Sequence, residues 1–409
     1  MQPVAVALVS QVCGLFSRII DGARAKTLSC VALALGGVAV GCGSMTGPGV
    51  PIAVAGGRFS ELSAGGNRTC GITPSGAAYC WGQGVQVSDS SAVPVAVRGV
   101  PALAIISAGD ILTCGLTSSG AAYCWGGIFA LFNGPPSAVD GGPSLAAITV
   151  GDHVCGLTLS GTAYCWGQNR EGELGTGTTT DSPLPAAVSG GLTYGSISAS
   201  TGHTCGLTAE GAAYCWGSNW EGQLGVGSTA GPQQCFGFPC STTPVAVAGS
   251  LTFVMLSTGF DYTCGLTATG AGYCWGQNAY GQLGVGSRAG PQQCVLAGYN
   301  GVTVSCSTTP VPVAGGLTFV TLSVGLNHAC GLTSGGAAYC WGENKSGELG
   351  TGSTMDSPLP TAVTGGLHFV AISAGSSHTC GLTRIGMAYC WGANLCGSTP
   401  GTFDCSGVP

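Results

Sequence analysis

The chain has 409 residues, of which 75 are glycine, only 6% are charged, and the formal net charge is −6. With no clusters of Lys and Arg, it lacks the counterion-displacing surface that nucleic acid requires, so no nucleic-acid partner is expected. Its 23 cysteines include no Cys-x-x-Cys, which points to an oxidising compartment and a disulfide framework rather than to metal ligation.

In chain order, residues 1–41 read as a leader. Arg24 and Lys26 precede the apolar stretch Leu28 to Val40, followed by Gly41 and Cys42. A basic patch, a short apolar region and small residues before a cut site are the parts of a secretory signal. Ala39-Val40-Gly41-Cys42 resembles the lipobox of bacterial lipoproteins, a resemblance that implies cleavage before Cys42 and lipid on its thiol. The alternative is a plain signal peptide with an incidental Cys42. Removing Cys13 and Cys30 with the leader and lipidating Cys42 leaves an even 20 cysteines able to pair. Residues 42–49 then form a linker, 50–395 a repeated domain and 396–409 a tail.

Self-similarity decides the fold of the repeated domain. The segment from Cys70 to Gly82 reads C-G-I-T-P-S-G-A-A-Y-C-W-G. It returns at Cys114, Cys155, Cys205, Cys264, Cys330 and Cys380, making seven copies. A strand-like run precedes each copy, and a Pro-containing strand such as Pro244-Val-Ala-Val247 follows. Four short strands per unit, separated by turn residues and repeated radially, make a propeller blade. The expected fold is therefore all-β, a seven-bladed β-propeller of four-stranded antiparallel blades. A ring of such blades leaves no end unit exposed.

The hairpin inside each copy can be read in register. A three-residue loop, Pro74-Ser75-Gly76, suits a type I turn closed by a left-handed glycine. That register sets Gly71 opposite Tyr79, whose ring is expected to cover the bare glycine, and Cys70 opposite Cys80. Cross-strand disulfides are predicted at Cys70–Cys80, Cys114–Cys124, Cys155–Cys165, Cys205–Cys215, Cys264–Cys274, Cys330–Cys340 and Cys380–Cys390. Six cysteines remain in three close pairs: Cys235 with Cys240, Cys294 with Cys306, and Cys396 with Cys405. The first two pairs close insertions that share the frame Gly-Pro-Gln-Gln-Cys…Cys-Ser-Thr-Thr-Pro.

The pattern C-G-L-T-x-x-G-x-A-Y-C-W-G-x-N-x-x-G-[EQ]-L-G, clearest at 155–175, 205–225, 264–284 and 330–350, resembles the regulator of chromosome condensation repeat. The resemblance implies that the N-terminal strand closes the last blade, so Val50 to Val54 should pair with the blade of residues 366–392. It would also imply guanine-nucleotide exchange on a small GTPase, which an exported chain would not meet. A secreted propeller of similar fold that inhibits β-lactamases implies instead protein binding by loops on one face. Copies one and two lack the Gly-x-Leu-Gly loop, and copy seven diverges after Asn394.

No enzyme is expected, and no catalytic residue, cofactor or metal is assigned. His153, His203, His328 and His378 occupy a slot that Leu112 also fills, which makes them packing residues. Glu173 and Glu348 exchange with Gln223 and Gln282 in sister loops, which reads as solvated turn chemistry. The repeated Trp residues are expected between blades, whereas Trp220 stands outside that pattern as an exposed rim contact. With Phe236 and Phe238, and Leu296 and Tyr299 in the second insertion, it forms the expected partner-binding patch. The expectation is a monomeric protein-binding scaffold, exported and attached to a membrane only through Cys42, at a bacterial cell envelope. The rival readings are an exchange-factor-like regulator of a small GTPase and a propeller enzyme with a site on one rim.

Overall fold

The computed structural model describes residues 49–55, 57–83, 90–126, 135–295 and 302–393. Cys42, Leu296, Tyr299, Cys396, Cys405 and the leader lie outside these residues. Among the described residues there are 30 β-strands and no helix. They form seven antiparallel sheets, the blades of a propeller. The first blade runs Glu61–Gly65, Arg68–Ile72, Ala78–Gly82 and Ser91–Ala96, from the inner to the outer strand. The last takes its outer strand from the start of the chain, where Ile52 pairs with Cys390 and Ala53 with Tyr389. Blades four and five differ from the expected four strands. Their stapled insertions fold back as a fifth strand, Gln233–Cys235 in one and Gln292–Val295 in the other.

The hairpin chemistry recurs in every blade. Gly76 closes its turn by donating to the Thr73 carbonyl at 2.8 Å, with φ of 83°. Its six counterparts fall between 80° and 85°, where a side chain would be strained. This turn sets Cys70 opposite Cys80 and Gly71 opposite Tyr79. All seven cross-strand cysteine pairs are bonded, as are Cys235–Cys240 and Cys294–Cys306. The tyrosine, however, does not cover the glycine. A Cβ on Gly71 would lie 2.7 Å from the Phe59 ring, so Phe59 fills that space and Tyr79 meets Phe59 edge-on at 6.4 Å. The residue leading into the inner strand is closer to the bare backbone than the cross-strand neighbour.

The disulfides are also core. Cys70 and Cys80 pack with Leu103, Ile106 and Trp125 of the next blade. Each blade pair repeats this layer, with Trp166, Trp216, Trp275 and Trp341 wholly buried. Burying such an indole removes roughly 200 Å² from water, so these layers carry most of the adhesion between blades.

At the ring axis one hydroxyl per blade closes a second circuit. The backbone N–H of Ala64, Ala108, Val150, Ala199, Thr258, Val324 and Ala374 donates to Ser373, Ser63, Ser107, Thr149, Ser198, Ser257 and Ser323 in turn, at 2.8–3.2 Å. Each bond crosses to the neighbouring blade, and the seventh returns to the first. These hydroxyls line an axial cavity of about 220 Å³.

Candidate protein-binding rim

One face of the ring collects the turns after the inner strands, the ends of the third strands and the loops that follow Trp-Gly. The Asn-x-x-Gly-x-Leu-Gly loop owes its form to its asparagine. Asn169 accepts from the Leu174 N–H at 3.0 Å and donates to the carbonyls of Thr178 and Thr180. Asn219, Asn278 and Asn344 accept from the equivalent leucine. Each loop also crosses to the next blade. The Glu173 carbonyl accepts both the Trp216 indole N–H and the Thr204 hydroxyl, each at 2.9 Å. The Gln223 and Glu348 carbonyls do the same for Trp275 with Thr263 and for Trp391 with Thr379. Where the preceding blade lacks the loop, the buried indole N–H of Trp125 and of Trp166 has no partner among the described residues.

The Glu/Gln exchange in these loops is not solvated turn chemistry. Glu173, Gln223, Gln282 and Glu348 are at most 3% exposed. In each, a side-chain oxygen accepts the backbone N–H two residues earlier, at 2.7–3.0 Å. Burial pushes Glu173 and Glu348 up to about 7, so below neutral pH a protonated Glu takes the place of Gln.

The histidines bind between blades. Nε2 of His153, His203, His328 and His378 lies 2.5–2.8 Å from Thr204, Thr263, Thr379 and Thr69 of the next blade. Thr204, Thr263 and Thr379 spend their hydroxyl hydrogen on the loop carbonyl, so the paired imidazoles donate from Nε2. Burial pulls three of them down to about 3 and His378 to about 4.

The first stapled insertion rises from this face in the fourth blade. Cys235 pairs with Phe238 across a turn of only Phe236 and Gly237. Both residues have positive φ, 50° and 90°. Such a two-residue turn favours Asn-Gly, and a phenylalanine there is strained. Among the described residues Phe236 is the one non-glycine with positive φ, and it is 74% exposed. Trp220 and Phe238 turn inward, against expectation. Their rings meet edge-on at 5.3 Å, and the Trp220 indole donates to Asp261 at 3.2 Å. The buried Asp261 carboxyl holds the tryptophan, which packs on Phe238, so Phe236 is the free element of the patch.

Several turns on this face carry buried carboxyls. Burial raises Asp152 to about 6 and Glu221 to about 7. It also raises Glu171, and it lifts Asp261 well above the usual range, with the charge of Glu221 adding to the effect. Asp261 is held by Trp220 and by the Gln223 amide at 3.1 Å. Among the described residues no group of three or more His, Cys, Asp or Glu is placed to hold a metal ion. Sequence reasoning missed Asp152, Glu221 and Asp261. Their signal is a carboxyl in turn positions that sister copies fill with Gly202, Tyr280 or Ser346.

Two descriptions of the regulator of chromosome condensation (RCC1) repeat match the chain, one over residues 160–207, 210–266 and 335–382, the other over 196–223, 254–282, 319–348 and 369–398. The rat probable E3 ubiquitin-protein ligase HERC4 is 29% identical over 128 residues, 31% of this chain and 10% of that protein. This chain thus matches only a tenth of that relative's length. Human WBSCR16 superposes with a TM-score of 0.68 at 18% identity, covering 84% of this chain and 89% of that one. Prp20p from Saccharomyces cerevisiae, studied for its binding to Gsp1p and histones, gives 0.66 at 18% identity over 81% of each chain. With seven agreeing repeats, a ring closed by its own N-terminal strand and these matches, the chain belongs to the regulator of chromosome condensation (RCC1) repeat family.

Proposed function

We propose that this propeller is a non-enzymatic protein-binding scaffold, exported to an oxidising compartment and held at a bacterial cell envelope through lipid on Cys42. The observation that carries the binding role is Phe236. A large apolar side chain sits 74% exposed on a left-handed backbone, at the tip of a hairpin closed by Cys235–Cys240. Such a residue is unfavourable for folding and for solubility, and a contact made in a complex offsets both costs. The staple fixes the tip before binding, which keeps the entropy cost of association low. Nine disulfides among the described residues support export to an oxidising environment.

The test compares the oxidised parent with Phe236→Ser and with Leu159→Ser, which alters a residue 94% exposed in a different type of turn. Each is immobilised and exposed to envelope extract. The reading predicts a protein retained by the parent and by Leu159→Ser and lost by Phe236→Ser. Retention by all three would remove the hairpin as the site. Retention by none, combined with turnover of any substrate, would favour the enzyme reading.

A further inference from the structure

Four of the seven seams between blades are filled by a loop from the blade before, whose carbonyl takes the next blade's indole N–H. These loops also press on the outer strand of the next blade. A Cβ on Gly172, Gly222 or Gly281 would lie 2.7–3.0 Å from the Cα of Thr242, Thr308 or Pro358. Gly347 makes the same approach to Gly49, which leads into the strand Ile52–Ala53 of the seventh blade.

At the seam where the ring closes, between the seventh blade and the first, the structure has a cavity of about 420 Å³. Its walls are the residues that meet a loop elsewhere. Trp81, Thr69 and Ala92 stand in the places of Trp216, Thr204 and Thr242, and His378, Trp391 and Ala393 line the cavity from the seventh blade. Trp81 is 7% exposed, where Trp216, Trp275 and Trp341 are wholly buried. Among the described residues Thr69 bonds His378 and Cys380 across the seam, whereas Thr204 also donates to a loop carbonyl.

The described chain ends inside this cavity, at Ala393. The Ala393 N–H donates to the Ser377 carbonyl at 2.8 Å, as Ser218 does to Gly202 and Glu343 to Asn327, so the backbone enters the seam as its sisters do. The next residue, Asn394, holds the position of Asn169, Asn219, Asn278 and Asn344, and Gly397 follows at the spacing of Gly172. These two residue types shape the loop. The asparagine accepts the N–H five residues on, and the glycine takes φ of 80–84°. The likeness stops at Pro400, in the position of Gly175, which has φ of 67° and donates its N–H back to Gly172. Proline can do neither, so the chain must leave the seam there. The seventh blade loses nothing by this, because Ile52 and Ala53 supply its outer strand.

We propose that the chain's own C-terminal segment, residues 394–399, docks in this seam. Asn394 orders its turn, the Gly397 backbone rests on Ala92, and the Ser398 carbonyl accepts the Trp81 indole N–H and the Thr69 hydroxyl. The segment begins in the cavity, so its docking is intramolecular and is favoured over any free partner by its high effective concentration. The exposed edge of Trp81 leaves water, and the closing seam is then held from both ends of the chain. Thr399 in the position of Leu174 makes a smaller and more polar plug than the sister loops have.

The test places a leucine analogue carrying a diazirine at position 92 of the full oxidised chain and maps its photoproducts by mass spectrometry of the digested protein. The same probe at position 242 is the control, and it should bridge to residues 169–175. From position 92 the expected product is an intramolecular bridge to residues 394–400. Asn394→Ala should lower the yield of that bridge about fivefold or more, the worth of one hydrogen bond. The control bridge should be unchanged in Asn394→Ala, which separates a displaced segment from an unfolded ring. A bridge from position 92 to residues 42–48 would seat the N-terminal linker in the seam and overturn the inference. So would a bridge to a second molecule, no bridge where the control gives one, or a yield indifferent to Asn394→Ala.

Discussion

Replacing Glu173 by Gln should stabilise the propeller above neutral pH and leave it unchanged in acid. Glu173 is 3% exposed, and its Oε2 accepts the Glu171 N–H at 2.7 Å. Gln223 makes the same bond at 3.0 Å in the sister loop, so the glutamine shape is already proven at this position. Burial raises the carboxyl from 4.5 to about 7. The folded state therefore holds this proton more tightly than the unfolded chain does. Its stabilising effect is complete below pH 4.5 and is lost as pH rises through about 7. That rise corresponds to about 3 kcal/mol. The assay is urea unfolding, disulfides intact, from about pH 4.5 to about pH 8. The parent should lose stability across this window relative to Glu173→Gln, which should exceed it by up to about 3 kcal/mol at the upper end. A constant offset at every pH, or a parent more stable in alkali, would refute the buried-proton argument.

Other outcomes are equally direct. Ser257→Ala removes one hydroxyl from the axial circuit and should cost about 1 kcal/mol in urea, with the Val324 N–H left facing the cavity. His203 is pulled down to about 3, so its contribution is present above pH 6.5 and lost as pH falls towards 3; His203→Leu, matching Leu112, should flatten the acid limb of the stability profile. Phe236→Asn should relieve the left-handed strain and raise stability by about 1 kcal/mol while abolishing capture of the partner, and loss of stability would contradict the strain. Cys42→Ser should abolish labelling of the chain by radioactive fatty acid in a bacterial host, whereas retained label would place the lipid elsewhere.

Blade number, strand register and ring closure were legible because the repeat states them seven times over. A glycine ending the same three-residue loop, with cysteines equidistant from the loop's middle residue, leaves one antiparallel pairing open, and Cys70 opposite Cys80 follows. Relations between blades were not legible. Nothing in Ser63 or Ser107 by itself announces that its hydroxyl serves the neighbouring blade, since serine in a strand is common on wet surfaces. The Glu/Gln exchange misled for a related reason. Polarity in a glycine loop suggests solvent, but this loop is pressed onto the next blade's tryptophan, and a protonated carboxyl is as good an occupant there as an amide. Trp220 was legible as unusual, but not as inward-facing, because its acceptor Asp261 lies 41 residues away in the next blade.

The most direct test of the scaffold reading is photo-crosslinking from the tip itself. Phe236 is replaced with a benzoyl-phenylalanine photoprobe in the expressing cell, and Leu159 in a second strain serves as the control. The account predicts a discrete protein adduct from position 236, absent from position 159 and lost when Cys235 and Cys240 are both changed to Ser. No adduct at 236, or the same adducts from both positions, would contradict it.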